Sequence, residues 1–317
     1  MNNIKMNDAN RIHSSSRVAV VIVNYNTSDQ VILAIQSLKN EVLQDIIVVD
    51  NASPKDNTKQ IELTFPNVVL IESKANVGFG EGCNIGMRWV LDNTDAELVL
   101  FLNPDTVIEP GLVGKLLKPF SSEDVGITAP RITMMNDKNA LWYGGGYMSW
   151  FKGSARVPGY GMSSNTPLAL EARDVEFASG CAFMIRCSVL ARCGGFDSRY
   201  FMYEEDVELS LRVLSAGYRI RYVPEALVYH VAQGSQGKDV QSLDMFSGKN
   251  PRLPFFVYYA ARNRFFTVFT HGRFLQKLIF LIGFTAWFAR AGLNWLRYRR
   301  FDAFRALFCG IKDFLQY

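Results

Sequence analysis

A chain of 317 residues, 49% hydrophobic and 20% charged, is long enough to bury one large core or two modest ones and too apolar to be disordered. Its five scattered cysteines, Cys83, Cys181, Cys187, Cys193 and Cys309, include no CxxC pair and have no histidines at zinc spacing, which argues against a zinc module and for reduced thiols in a cytoplasmic compartment. The net charge of +4 is uneven: residues 252–317 carry eleven Lys/Arg against Asp302 and Asp313, leaving 23 basic and 28 acidic residues in a body without the continuous positive groove that a nucleic-acid partner requires.

Residues 1–16, rich in Asn and Ser, are expected to form a disordered lead-in, with no apolar stretch for a signal peptide or a span. Residues 18–23 are a β-branched run that predicts a buried first strand. The polar turn Asn24-Tyr25-Asn26-Thr27-Ser28 then leads into a helix with Val31, Ile32, Ile35 and Leu38 inside. A second strand over 46–49 ends in Asp50-Asn51, after which Ser53 is placed to cap a helix, with Pro54 in its first turn and Asp56 at its positive end. A short third strand covers 68–71. The stretch Asn76-Val77-Gly78-Phe79-Gly80-Glu81-Gly82-Cys83-Asn84 opens a helix with Ile85, Trp89 and Val90 inside, and its glycines serve either a ligand or close packing of that helix on the sheet. Strands alternating with helices over these hundred residues predict a parallel sheet. A Rossmann dehydrogenase and a nucleotidyltransferase both need a glycine-rich phosphate loop after the first strand; Asn-Tyr-Asn-Thr-Ser stands there instead.

The apolar run 98–102 ends abruptly in Asn103-Pro104-Asp105, which presents a carboxylate at a strand's C-terminal tip, where open α/β sheets bind ligands. Pro104 stops the ladder and holds Asn103 extended. A carboxylate so placed suits a divalent cation that bridges protein and phosphates, while the simpler reading is a strand followed by a solvated turn. Beyond a strand over 125–129 the alternation weakens. Residues 141–161, dense in glycine and aromatics (Trp142, Tyr143, Gly144, Gly145, Gly146, Tyr147, Trp150), read as a mobile binding loop or as an aromatic patch on the core. Residues 175–186 read as a strand interrupted at Ser179-Gly180. The acids Glu204, Glu205 and Asp206 open a helix with Val207, Leu211 and Leu214 inside and Gly217 as its stop. One such acid satisfies a helix dipole; three together raise one another's proton affinity, which is how a general base is tuned. A strand follows over 218–223, with His230 just beyond it. If that strand lies beside the one ending at Asp105, His230 and Asp105 reach one cation, with phosphate oxygens completing its shell, a set that suits Mn²⁺ or Mg²⁺.

The last 66 residues hold nearly half of the aromatic side chains, among them Phe255, Phe256, Phe265, Phe266, Trp287, Phe288 and Trp295. Residues 278–289 are apolar apart from Thr285, about a dozen residues where a transmembrane helix needs roughly twenty. Arg290, Asn294 and Arg297 recur at helical spacing beside Arg299 and Arg300, which predicts helices lying in an anionic membrane surface. The alternative is a helical subdomain or homodimer interface that hides the rings.

Six motifs in order carry a resemblance: Val-Ile-Val-Asn-Tyr-Asn (21–26), Val-Val-Asp-Asn-Ala-Ser (48–53), the glycine stretch (76–84), Leu-Asn-Pro-Asp-Thr (102–106), Ala-Ser-Gly-Cys-Ala-Phe-Met-Ile-Arg (178–186) and Phe-Met-Tyr-Glu-Glu-Asp-Val-Glu-Leu (201–209). Over residues 17–235 the chain resembles a bacterial family 2 glycosyltransferase of the GT-A fold, close to the rhamnosyltransferase-like members that build O-antigens and other surface polysaccharides. The resemblance implies an α/β fold with a mostly parallel Rossmann-like sheet flanked by helices. It divides the chain into a catalytic domain over 17–250, with a nucleotide-sugar half (17–130) and an acceptor half (131–250), and a helical, membrane-associating extension over 251–317.

The resemblance also implies residue roles. Asn24, Tyr25, Asp50, Asn76, Gly78, Asn84, Asn103 and Asp105 would line the nucleotide-sugar. Asn103-Pro104-Asp105 matches the family's Asp-x-Asp motif with its first acid replaced, which leaves Asp105 as the acid there. Asp206 or Glu205 would be the base, Asp105 and His230 the ligands of Mn²⁺ or Mg²⁺, and Trp142, Gly180 and Glu204 would border the acceptor. The implied reaction is inverting transfer from a nucleotide diphosphate sugar, TDP-rhamnose for choice, to a polyprenyl-diphosphate-linked saccharide, on the cytoplasmic face of the inner membrane. The rival reading is a non-catalytic nucleotide-sugar-binding or scaffold subunit.

Overall fold

The computed structural model describes residues 17–55, 57–231 and 245–317. The lead-in at 1–16 and the helix-end role of Asp56 lie outside these residues. Strand β1 (Val18–Asn24) is buried along its whole length and is flanked by β2 (Asp45–Asp50) and β4 (Leu98–Leu102), both parallel to it; β3 (Val69–Glu72) lies parallel outside β2. Strands covered on both faces need continuous apolar runs, and β1 and β4 supply them. The crossovers are helices α1 (Ser28–Ser37), α2 (Lys59–Thr64) and α3 (Phe79–Asn93). Helix α2 starts later than the capping signal at Ser53 predicts, because Ser53 Oγ accepts instead from the Asn26 N–H at 2.9 Å while its proton goes to Asp50 Oδ1.

Helix α3 buries Gly82, Cys83, Gly86, Met87 and Val90; Ile85 and Trp89, expected inside, are only partly covered. The reason is how closely the helix lies on the sheet. A Cβ at Gly82 would stand 2.8 Å from a Val23 methyl, and one at Gly86 2.5 Å from a Val21 methyl. These glycines let backbone press on β1, which is the packing role foreseen for the glycine stretch.

Beyond β4 the sheet changes character. Strand β5 (Thr106–Ile108) leads through α4 (Leu112–Leu117) to the long β6 (Val125–Met134). Residues 141–161 are a packed element, not a mobile loop: β7 (Leu141–Tyr143) pairs with β6, and β8 (Tyr147–Ser149) with β9 (Ser154–Arg156) forms a hairpin. Leu141, Tyr143 and Met148 are buried and anchor the segment in the core, while Tyr147, Phe151 and Tyr160 remain exposed. A single helical turn, α5 (Pro167–Leu170), precedes β10 (Arg173–Val175). The interrupted strand resolves into two, β10 and β11 (Ala182–Arg186), which occupy different places in the sheet. After α6 (Cys187–Cys193) and α7 (Glu205–Ser215), β12 (Arg219–His230) runs twelve residues with an irregularity between Val223 and Leu227, so His230 ends that strand rather than following it. The main path of the sheet is β10-β12-β6-β11-β4-β1-β2-β3.

Three helices close the chain, α8 (Leu253–His271), α9 (Phe274–Arg297) and α10 (Phe301–Leu315). They share the sheet's core, since Phe265, Val268 and Phe280 belong to it. The rings expected on a membrane face are largely internal: Phe256, Phe265, Phe266 and Trp295 are buried, and the exposed apolar side chains of α9 are mainly Leu and Ile. Helix α9 has 24 residues, about 36 Å at 1.5 Å per residue, which overturns the length argument drawn from its apolar dozen. Among the described residues it is the one helix long and apolar enough to cross a membrane by length and composition.

The close approach of α3 to β1 separates packing from propensity. Gly86→Ala improves helix propensity but drives a methyl into Val21, and should destabilise the protein by about 1–2 kcal/mol in urea unfolding. Gly114→Ala, in α4 with nothing near its would-be Cβ, should be neutral or stabilising. Equal gains at both positions would show that α3 does not press on the sheet.

Candidate active site at the rim of the sheet

Strand direction builds the site. Strand β11 is antiparallel to both β4 and β6, and β12 is parallel to β6. The C-terminal tips of β4 and β12 and the N-terminal tip of β11 therefore share one edge. On it stand Asn103 and Asp105, Gly180 and Cys181, and His230. Asn103 N–H donates to the Cys181 carbonyl at 2.8 Å, which ties the first two tips together.

Strand β12 does not lie beside β4, as the route from sequence to a shared cation supposed; β6 and β11 intervene. Asp105 reaches His230 because the chain turns at Asn103-Pro104-Asp105 and β5 pairs antiparallel with the end of β12, setting Thr106 opposite His230. His230 Nε2 lies 3.1 Å from each Asp105 carboxylate oxygen. Both side chains are buried, and the Trp142 ring stands edge-on to the imidazole at 4.4 Å between centroids. Burial opposes charging of this ring, but Cys181 and Asp105 beside it outweigh that and raise its proton affinity to about 10.

The donor set fits a small hard cation that displaces the Nε2 proton, since only the neutral imidazole ligates. Ligand bonds of about 2.1 Å at right angles place adjacent donors about 3 Å apart, close to the spacing of Nε2 and the carboxylate oxygens. Among the described residues no group of three or more His, Cys, Asp or Glu side chains could hold a metal ion, so a cation on Asp105 and His230 would need water or phosphate to complete its shell.

The second half of the site is the turn before α7. Tyr203 and Glu204 both adopt left-handed backbone, φ +70° and +68°, a conformation that costs non-glycine residues about 1 kcal/mol or more each. Asn263 of α8 holds them there: its Nδ2 donates to the carbonyls of Met202 and Tyr203 at 2.9 and 2.8 Å. Tyr200 Oη to Thr267 Oγ1, at 3.0 Å, and His271 Nε2 to Glu208 Oε1, at 3.1 Å, extend this brace along α8.

The three acids point different ways. Asp206 Oδ2 accepts the Gly180 N–H at 2.7 Å and Oδ1 accepts the Val207 N–H at 2.8 Å, so its carboxyl group faces the rim beside Cys181. Glu205 runs inward against Gly80 and Cys83 of α3. Glu204 lies near the Ala155 N–H of the β8–β9 hairpin, which tempers the rise in its proton affinity. Burial pushes all three carboxyls up: Glu204 to about 7, Glu205 well above its ordinary value with Asp206 adding to it, and Asp206 against the pull of its backbone donors. Cys181 borders all of these groups: its carbonyl accepts the Asn103 N–H, its neighbour Gly180 donates to Asp206, and His230, Asp105 and Asp206 all act on its thiol.

The tips of β1 and β2 form the other flank. Here several residues expected to touch a nucleotide are instead committed to protein. Asn24 is fully buried, its amide donating to Asp50 at 3.1 Å and its oxygen accepting from Thr27. Asn84 pins α3 to Phe196 through both of its amide groups. Gly78 has φ +87°, and a Cβ there would lie 2.2 Å from the Phe201 carbonyl oxygen. These side-chain amides and the space at Gly78 engage protein atoms. Tyr25, Asn76 and Asn103 retain exposure. Asn51, given no role in the sequence reading, clasps the glycine stretch by donating to Asn76 Oδ1 and the Gly78 carbonyl at 3.0 Å each. Asn263 was also missed; the available signal was a polar Arg262-Asn263-Arg264 run inside an aromatic helix.

A sequence model described as Glycosyl transferase family 2 matches residues 19–194. The N-acetylglucosaminyl-diphospho-decaprenol L-rhamnosyltransferase of Mycobacterium tuberculosis (strain CDC 1551 / Oshkosh) is 30% identical over 249 residues, covering 70% of this chain and 78% of the relative. Rhamnosyltransferase WbbL of Escherichia coli (strain K12) is 28% identical over 231 residues, covering 68% and 83%. S. aureus TarS 1-349 in complex with UDP-GlcNAc shares the fold with a TM-score of 0.57 at 15% identity, over 94% of this chain and 80% of that one. The mostly parallel central sheet, its flanking helices and its C-terminal helical extension have the GT-A architecture, and the chain belongs to glycosyl transferase family 2.

Proposed function

We propose that this enzyme transfers rhamnose, with inversion, from a nucleotide diphosphate sugar such as TDP-rhamnose to a hydroxyl of a lipid-linked saccharide in surface polysaccharide synthesis. The observation that carries the reading is the meeting, around Gly180-Cys181, of the Asp105–His230 pair with the Asp206 carboxyl group. The sugar and acceptor classes follow the names of the rhamnosyltransferases to which the chain is similar.

Residues 17–130 hold the donor, with Tyr25, Asp50, Asn76 and Asn103 around the nucleotide, and residues 131–250 hold the acceptor, with Trp142 as a wall. Asp206 accepts the acceptor hydroxyl's proton while that oxygen forms the new bond to the anomeric carbon; the bond from that carbon to the diphosphate oxygen breaks, and the nucleoside diphosphate leaves with the electron pair. Its raised proton affinity suits a base that must hold a proton during transfer. Glu205, turned into α3, serves the fold. A Mn²⁺ or Mg²⁺ ion on Asp105 and His230 would neutralise charge developing on the diphosphate. Trp142 packs on His230 and keeps water from that ring.

The helical extension rests peripherally on the cytoplasmic face of the inner membrane. Helix α9 exposes Phe274, Leu275, Leu278, Ile279 and Ile282 next to Arg273 and Lys277, while Phe280, Gly283 and Trp295 on the same helix are covered by protein. Apolar side chains flanked by cations favour an anionic surface, and Arg290 within α9 disfavours full crossing.

Asp206→Asn should abolish transfer, by at least about a hundredfold, while donor binding by calorimetry stays within about twofold of wild type. Near-normal turnover would remove Asp206 from the base role. Asp105→Ala should erase the Mn²⁺-dependent part of donor binding, and a donor affinity that still rises with Mn²⁺ would place the cation elsewhere. Leu275→Ser, Leu278→Ser and Ile282→Ser combined, with an unchanged melting temperature, should stop the protein floating with anionic vesicles. These substitutions are a cleaner test than truncation before Arg252, because α8 carries the Asn263 brace.

A further inference from the structure

Two guanidinium groups beside the acid turn have no use in the mechanism above. Arg264 follows Asn263 on α8, and its guanidinium sits 5.4 Å from the Trp287 ring centroid and 5.6 Å from that of Phe246. Its Nε is enclosed without a partner, and among the described residues its side chain makes no hydrogen bond and no ion pair. Arg156, exposed at the end of β9, makes none either. The two cations lie close enough to repel, and the acid that offsets them is Glu204, which approaches Arg264 without forming an ion pair. Enclosing an unpaired cation next to a second one is unfavourable unless an anion completes the site.

The surroundings say which anion. The β8–β9 hairpin that carries Arg156 presses its turn on the C-terminal helices: a Cβ at Gly153 would meet Phe280, and one at Gly283 of α9 would meet the Phe151 carbonyl. Ala155 on the same hairpin contacts Glu204, two residues before Asp206. The basic pair thus stands between the acid turn and the helix that exposes Leu275 and Ile282. Guanidinium forks match phosphate oxygens, and the rings of Trp287 and Phe246 offer an apolar wall beside them. Neither arginine bonds to Asp105 or His230, whose side chains pair with each other.

We propose that Arg264 and Arg156 bind the diphosphate of an isoprenoid-diphosphate-linked acceptor, holding it so that the lipid leaves along α9 and the saccharide reaches Asp206. This rests on the lipid-linked acceptor proposed above. Arginine pairing with phosphate is the source of affinity, and the apolar wall distinguishes a lipid diphosphate from a free one.

The test measures binding, without donor or divalent cation, of farnesyl diphosphate, farnesol and inorganic pyrophosphate to wild type, Arg264→Gln, Arg264→Lys and Arg156→Gln. Wild type should bind farnesyl diphosphate more tightly than pyrophosphate. Each Gln variant should lose about tenfold for farnesyl diphosphate, Arg264→Lys should recover part of it, and farnesol should bind all four alike. Unchanged farnesyl diphosphate affinity in both Gln variants overturns the proposal, as does pyrophosphate binding as tight as farnesyl diphosphate, which would assign a free-phosphate site. Arg156 is exposed, so its variant keeps the test valid if Arg264→Gln fails to fold. No turnover is involved; a wild type that binds farnesyl diphosphate as described yet transfers no sugar would count against the transferase reading alone.

Discussion

The 2.7 Å hydrogen bond from the Gly180 N–H to Asp206 joins two parts of the molecule that the chain keeps apart. Gly180 lies at the entry to β11, the one strand that runs antiparallel between β4 and β6, and Asp206 lies in the first turn of α7. Without the reversal at β11, its N-terminal tip would sit at the far edge of the sheet, away from Asp105 and His230. The bond therefore fixes an acid against a rim already set by strand direction. It also limits how far burial raises that acid, because a backbone donor favours the carboxylate.

The acid turn is not self-supporting. Two successive left-handed residues, Tyr203 and Glu204, cost about 1 kcal/mol or more each, and two hydrogen bonds from the fully buried Asn263 offset that cost. The C-terminal helices are thereby part of the site's scaffold as well as its outer surface. The face that α9 turns to solvent and the brace that α8 applies to the acid turn belong to one packed unit, since Phe265 of α8 packs edge-to-face against Phe280 and Phe284 of α9. The exposed apolar face of α9 and the acid turn are in this way held at a fixed separation.

The sequence disclosed what local pattern encodes. The apolar runs of β1 and β4 and the abrupt polar tip at Asn103-Pro104-Asp105 are visible without any partner strand, and so the parallel half of the sheet was legible, whereas the approach of Asp105 to His230 comes from β5 pairing with β12 rather than from the β4–β12 neighbourhood the sequence suggested. What depended on distant partners was not. Ser53 carries a cap signal, but its oxygen accepts from the distant Asn26 N–H and its proton goes to Asp50. The glycine and aromatic composition of 141–161 matches a loop, yet pairing with β6 and burial of Tyr143 make it core. Asn24 and Asn84 sit in motifs near a ligand, and only tertiary hydrogen bonds reveal that their amides are already spoken for. The tail's rings face inward because three helices pack on one another, which a charge and ring count in one dimension does not contain.

The central claim is that one rim holds both a cation site and the proton acceptor. Anomalous diffraction from crystals grown with Mn²⁺ and a nucleoside diphosphate tests it most directly. The account predicts a manganese peak bonded to Asp105 and His230, with the diphosphate on the same side of the rim as the Asp206 carboxyl group. A peak on other residues, or a diphosphate separated from Asp206 by the sheet, would contradict it.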